Sequence, residues 1–263
     1  MSHIQYIMYY HEETCYDAVN NDNAFSIFKQ NQKFVEILEH VTYEQGLLYI
    51  TEIKKYQYKD YDWNLFLEND IIGNPLTYNY YNQLYEVKMN TYNISPSTLR
   101  YICFGLKILQ YFTQNMQQNV DIVEIGGGYG GQCKIIQDIF NQNNIQIKSY
   151  TLIDLDGVCK LQNKYLKTLG FTNIITLSNT ECLEKIYEKY DLCISNYALG
   201  EFQKNIQDFY INNVLLRSRL HFITWNTYPI HDFFMYSNIV EESPQTNPTV
   251  FKNVIITTNN AFT

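Results

Sequence analysis

The chain is short of the residues that break regular structure, with 11 glycines and 5 prolines in 263 residues. It has no long linker, no internal repeat and no low-complexity tract. The six cysteines (Cys15, Cys103, Cys133, Cys159, Cys182, Cys193) are scattered, with no Cys-x-x-Cys pair. That spacing argues against a zinc site or a disulfide framework. Buried free thiols in a reducing, cytoplasmic compartment are the expectation. No stretch approaches the roughly 20 apolar residues of a membrane span. Met1-Ser2-His3-Ile4-Gln5 has no charged segment leading into an apolar one, so no secretory signal is expected. Positive charge is scarce as well. Lys and Arg number 19 against 27 Asp and Glu, a formal net charge of −8. Nucleic acid as a partner needs clustered cations and is not expected.

What is present suits one large domain, or a domain with an appendage. Hydrophobic residues make up 46% of the chain, enough for a core. Residues 1–95 are rich in tyrosine and read as mostly helical. Phe25-Ser26-Ile27-Phe28 and Phe34-Val35-Glu36-Ile37-Leu38 have helical spacing. Asn69 to Pro75 reads as a turn or loop. Ser95-Pro96 then opens a helix, with Ser as N-cap and Pro at the first helical position. From Asp121 strand and helix alternate. Strands are expected at 121–125, 147–153, 173–177, 191–195 and 220–225. Helices are expected at about 130–142, 157–169, 181–188 and 203–217. Such alternation means a parallel sheet with right-handed crossovers. The runs Ser237 to Glu241 and Val250 to Thr257 have no helical pattern between them and predict an antiparallel hairpin at the end of the sheet.

Five of the 11 glycines fall in one turn, Glu124-Ile125-Gly126-Gly127-Gly128-Tyr129-Gly130-Gly131. An apolar run precedes it and a helical pattern follows, the layout of a nucleotide-binding crevice. Five glycines exceed what packing a helix on a strand needs. Gly126-x-Gly128-x-x-Gly131 satisfies the dinucleotide fingerprint, with Asp154 about where a ribose-binding acid belongs. An NAD-dependent oxidoreductase is therefore one reading. S-adenosylmethionine is the other, and three features favour it. Glu124 is an acid at the end of the first strand and suits a ligand bearing an ammonium group. The expected antiparallel hairpin matches the seven-stranded methyltransferase sheet. The sheet begins about 120 residues in, which leaves no room for a second mononucleotide-binding half. On this reading Glu124, Gly126, Gly128, Tyr129 and Gly130 form the turn around the donor. Asp154 and Leu155 follow strand two, with Asp154 on the ribose and Asp156 capping the next helix. Ser178 and Asn179 sit at the adenine edge. Asn196 and Tyr197, after strand four, flank the methionine part and face the acceptor, although a core role for Tyr197 is the plainer alternative.

The glycine motif with its Glu resembles the class I S-adenosylmethionine-dependent methyltransferases. More narrowly, the chain is similar to the sugar O-methyltransferases. The similarity rests on Ile72-Gly73-Asn74-Pro75, Ser95-Pro96-Ser97-Thr98-Leu99-Arg100-Tyr101, Tyr150 to Leu155, Leu161 to Leu166 and Ser195-Asn196-Tyr197-Ala198. It covers roughly residues 70 to 225. It implies a Rossmann-like seven-stranded α/β domain, placed over 96–263; the first 65 residues match nothing in it, and the helical region over 1–95 is read from its tyrosines as an acceptor-binding or lid region. It also implies methyl transfer to a hydroxyl of a sugar, as a nucleotide-sugar or glycan. A non-catalytic methyltransferase-like binding domain is the alternative.

A hydroxyl needs a general base as its bond to carbon forms. Glu201, His231 and Asp232 lie on the crevice side and are the candidates. His221 begins strand five at the opposite edge, and His3, His11 and His40 lie outside the motif region. Asp232 and Glu201 could supply oxygen ligands to a divalent metal, which stays open, as does a homo-oligomer. The tyrosines of the first 95 residues suit either an acceptor lid or ordinary aromatic packing. Arg100 meets either an anionic group on the acceptor or an acid of the protein.

Overall fold

Val120–Ile125 is buried at every position but Asp121, on both of its faces. Runs of this kind belong to parallel sheets covered by helices on both faces. The structure, a computed structural model, has that architecture. It describes residues 3–56, 60–116, 119–179, 181, 185–186, 189–246, 248 and 251–259, with side chains from Glu12 onward.

The N-terminal region contains α1 (His3–Asn20), α2 (Asp22–Ile27), α3 (Gln32–Ile37), α4 (Tyr43–Tyr56), α5 (Trp63–Ile71) and α6 (Tyr81–Leu84). It also has a small antiparallel ribbon, β1 (Tyr78–Asn79) with β2 (Asn93–Ile94). The main sheet follows: β3 (Val120–Ile125), β4 (Ile147–Asp154), β5 (Ile174–Ser178), β6 (Tyr190–Asn196), β7 (Ser218–Trp225), β8 (Asn238–Glu241) and β9 (Val254–Asn259). Between these elements lie α7 (Pro96–Asn115), α8 (Gly131–Gln142), α9 (Asp156–Thr168) and α10 (Lys204–Asn213). The strand order is β5-β4-β3-β6-β7-β9-β8. The first five strands in sequence pair in parallel. The expected hairpin is present, with β9 antiparallel to both β7 and β8. Burial explains why the later strand lies inside: Ile255 and Ile256 of β9 are covered, whereas all four residues of β8 are exposed at the edge.

The period-2 alternation of β3 sends its side chains to two layers. Val120 and Ile122 meet Ile102 of α7, Ile135 of α8 and Leu161 of α9. Val123 and Ile125 meet Tyr210 and Ile211 of α10 on the other face. The first cluster is continuous with Cys15, Phe34, Tyr49 and Trp63, so the described N-terminal helices and the sheet share one core. Tyr49 and Tyr80 are fully covered, and Tyr43 stacks on Tyr80 with centroids 5.0 Å apart. Part of the tyrosine content is therefore aromatic packing.

Ser95 caps α7 as expected: its Oγ accepts from Thr98 N–H at 3.1 Å, with Pro96 in the first turn. Asp70 supports that cap, accepting from Ser95 N–H at 2.8 Å and Thr98 Oγ1 at 2.7 Å. Some expectations need correction. The segment read as a loop from Asn69 is helical through Ile71, because the buried Asn69 side chain is bonded to Thr98, Tyr129 and Tyr165 and not to its own backbone. The helix expected over 203–217 stops at Asn213, and Leu215–Arg217 forms a short 3-10 turn into β7. The helix expected over 181–188 falls largely outside the described residues, as do Cys182 and the start of the run at Val250. The five other cysteines are buried and form no disulfide among the described residues.

Candidate active site

The crevice forms where β3 and β4 end. Gly126 N–H continues the ladder to Ile153 O at 2.9 Å, and Gly130 N–H then closes the turn onto Gly127 O at 3.1 Å. Gly126 has φ +74° and Gly130, which precedes α8, has φ +96°, backbone values that favour glycine. The protein itself crowds this turn. A Cβ on Gly126 would overlap Ala198, one on Gly127 would lie 2.5 Å from Leu152, and one on Gly131 would lie 2.6 Å from Tyr129. Packing and conformation thus account for the glycines. The expectation that five exceed what packing needs is overturned, and the turn alone does not identify a ligand.

The chemistry lies in the flanking carboxyls. Asp154 ends β4 half-buried, accepting from Leu155 N–H at 2.9 Å and from Gly128 N–H at 3.2 Å. The Gln162 amide also approaches Oδ2 at 3.4 Å, so Oδ1, with Leu155 N–H as its one donor, is the oxygen that keeps capacity for a further donor. Burial pushes its carboxyl up to about 7, against those two backbone bonds. Gln162 of α9 braces the arrangement, with its amide donating to Gly128 O at 2.7 Å. The Gln162 Oε1 has no partner. Glu124 is 1% exposed on the α8 side of the sheet, below Gly127, and accepts from Tyr150 Oη at 2.8 Å. Burial pushes it up to about 7 as well.

Other expected residues take different roles. Tyr129 does not turn its ring to the crevice. It is buried among Phe28, Phe34, Tyr101 and Tyr165, and Lys29 Nζ lies 4.4 Å from its ring centre. The glycine turn thereby grips the N-terminal helices. Ser178 forms a capping box with Glu181: Ser178 Oγ accepts from Glu181 N–H, and Glu181 Oε2 accepts from Ser178 N–H, both at 3.2 Å. Asn179 is exposed. Asp156 does not cap α9 with its side chain. It accepts from Tyr16 Oη at 2.6 Å, while Glu12 of α1 takes the Gly157 N–H at 3.0 Å.

At the tip of β6, Asn196 Oδ1 accepts from Thr224 Oγ1 at 2.8 Å, and its Nδ2 is buried without a partner. Tyr197 is held at φ +66°, a strained value for a bulky residue. Its hydroxyl donates to Glu242 and bonds Thr246 at 3.0 Å, so the side chain is pinned to the loop between β8 and β9.

The base candidates also differ in availability. Glu201 is exposed at the crevice mouth and accepts from Asn226 Nδ2 at 2.7 Å. The surrounding protein raises its carboxyl above the usual range. His231 Nδ1 accepts from Phe233 N–H at 3.0 Å and Nε2 lies 2.8 Å from Asp208, so both ring nitrogens are engaged. Asp232 is exposed beside it. His221 is buried against Leu215 O. Among the described residues no three His, Cys, Asp or Glu side chains converge as metal ligands. No described helix is long and apolar enough to cross a membrane.

His40 lies outside the motif region in sequence, but the fold brings it within range of the Arg100 charge. Leu38 covers Gly128, and its carbonyl accepts from Arg100 Nη2 at 3.1 Å. Arg100 reaches the Tyr197 ring at 5.8 Å. Only folding could reveal this, since residues 38, 100, 128 and 197 are remote in sequence.

Five parallel strands with an antiparallel strand between β7 and the edge decide the fold. It is the class I methyltransferase fold. Solved structures to which the chain is similar include a protein of Thermoplasma acidophilum (18% identity, 64% of this chain and 91% of that one, TM-score 0.42). TrmK of M. capricolum, in complex with S-adenosylhomocysteine, shares 16% identity over 59% of this chain and 68% of its own, TM-score 0.41. Magnesium protoporphyrin IX methyltransferase of Synechocystis, with bound S-adenosylmethionine, shares 14% identity over 60% of this chain and 81% of its own, TM-score 0.41. These likenesses are weak, and the fold assignment stands on strand order. No protein-family model and no curated protein matches the chain.

Proposed function

We propose that the protein is an S-adenosylmethionine-dependent O-methyltransferase acting on a sugar. The observation that carries the reading is Asp154, a carboxylate with spare acceptor capacity at the tip of β4 in a sheet of this topology. The residues fit the donor. Asp154 would accept from the ribose hydroxyls, and the unpartnered Asn196 Nδ2 offers a donor to the amino-acid end. The buried Glu124 lies below the turn, where an ammonium group bound nearby would favour its ionised form without touching it.

When bound, S-adenosylmethionine supplies an electrophilic methyl group, whose bond to sulfur breaks with its electron pair going to sulfur as the acceptor oxygen bonds to carbon. The protein must align that oxygen and take its proton. Of the base candidates, Glu201 suits the second task, since its raised carboxyl accepts a proton more readily than an ordinary glutamate. His231 offers no free lone pair when Nδ1 accepts the Phe233 N–H.

The sugar assignment rests on the resemblance and on one cavity. A space of about 490 Å³ is bordered by Lys29, Glu39, Pro75, Tyr78 and Pro96. Pro75 and Pro96 belong to the two segments that resemble the sugar enzymes. Incubation with S-adenosylmethionine and a panel of nucleotide-sugars, with mass spectrometry for the gain of one methyl group, tests the reading. Glu201→Gln should lower turnover about a hundredfold or more with S-adenosylhomocysteine affinity unchanged. Binding of S-adenosylhomocysteine without methyl gain on any sugar of the panel would remove the sugar from the proposal.

A further inference from the structure

Arg100 is a buried cation that forms no ion pair among the described residues, although the buried Glu39 carboxyl lies within range of its charge. It lies on α7 with 5% of its surface exposed. Its Nη2 donates to Leu38 O, and its guanidinium lies 5.3 Å from the Tyr101 ring and 5.8 Å from the Tyr197 ring. Burying a charge without a paired anion is costly, and a guanidinium presents five N–H donors that match a carboxylate or phosphate in a fork.

Two neighbouring groups are also incompletely bonded. Glu39 Oε1 and His40 Nδ1 are buried with no partner. Burial and the Arg100 charge push the His40 imidazole down to about 4, so it stays neutral and adds no second cation. Burial raises the Glu39 carboxyl from its usual range, against the Lys29 and Arg100 charges and a Ser97 hydrogen bond that lower it. Lys29, 1% exposed and donating to Asn69 O, borders the 490 Å³ cavity together with Glu39. The position is the telling part. Leu38 rests over Gly128 and Tyr197 follows β6, so the guanidinium, bonded to Leu38 O and near the Tyr197 ring, links the two sides of the crevice.

We propose that Arg100 anchors an anionic acceptor, one that carries a carboxylate or a phosphate on the sugar to be methylated. The word acceptor rests on the methyl-transfer reading above; the anion site does not.

The test uses protein saturated with S-adenosylhomocysteine and titrated with three probes: a neutral hexose, the matching hexuronate and the hexose 1-phosphate. At least one charged probe should bind about tenfold or more tightly than the neutral hexose. The hexuronate and phosphate arms separate the two sources of charge. Arg100→Lys keeps the charge and loses the fork, and it should reduce that preference about tenfold while S-adenosylhomocysteine affinity stays within about twofold. Equal binding of all three probes, or no binding of any, overturns the proposal on the wild-type protein alone. An unchanged preference in Arg100→Lys overturns it too. Anion binding without S-adenosylhomocysteine binding would remove the methyl-transfer reading and leave the anion site standing.

Discussion

Glu124 and Asp154 both hold their protons to an unusually high pH, and burial is the first cause in each. The direction fixes a stability profile. The folded Glu124 carboxyl titrates at about 7 in place of 4.5. Between those values the folded state keeps a proton that the unfolded chain has released, so stability declines as pH rises through that window. The full decline is on the order of 3 kcal/mol. Glu124→Gln removes this contribution and keeps an acceptor for the Tyr150 hydroxyl. In the absence of donor, the melting temperature of Glu124→Gln relative to wild type should therefore rise from pH 4.5 to pH 8. A constant difference across that range would show that the Glu124 carboxyl is ionised throughout. At this scale the sequence was only partly readable. Glu124 and Asp154 stood out because charge at the end of an apolar strand is rare. Gln162 did not, because a glutamine on an amphipathic helix looks like any polar surface residue until its partner Gly128 is in place. Ser178 carried a readable sign, Ser178-x-x-Glu181, which is the capping box.

The strand–turn–helix unit from β3 to α8 depends on neighbours from elsewhere in the chain. Gly126 combines a left-handed backbone with contact to Ala198. Gly126→Ala should destabilise the protein by about 1–2 kcal/mol for the backbone alone, with a further loss for the overlap. Ala198→Gly in the same chain should recover the overlap and leave the backbone cost. Chemical denaturation of both variants measures the two parts, and full recovery in the double variant would show that φ at 126 is not strained. Period and capping residues made this element legible, as they did Ser95-Pro96 at the start of α7. The reason for each glycine was not legible, because Ala198, Leu152 and Leu38 approach the turn only in three dimensions. The end of α5 was misread for a related reason. Asn69 has a turn former's chemistry, but its amide is satisfied by Thr98, Tyr129 and Tyr165.

Across the whole molecule, the N-terminal helices are joined to the sheet at both ends of the crevice. Tyr129 anchors them at the glycine turn, and Glu12 and Tyr16 of α1 hold the start of α9 beside Asp154. The segment after α3 brings Leu38 over Gly128. Strand order was legible to the extent that periodicity stops alternating after β7. The placement of β9 inside β8 follows from burial, which the sequence alone displayed only as a more apolar run. The central claim, that this crevice takes a methyl donor and not a dinucleotide, is tested most directly by thermal unfolding of the wild type and Asp154→Asn with S-adenosylhomocysteine or NAD. S-adenosylhomocysteine at about one hundred times its Kd should add about 2.7 kcal/mol, a rise of roughly 5–10 °C. NAD should produce no rise, and Asp154→Asn should lose most of the S-adenosylhomocysteine effect. Stabilisation by NAD alone, or an S-adenosylhomocysteine shift untouched by Asp154→Asn, would contradict the account.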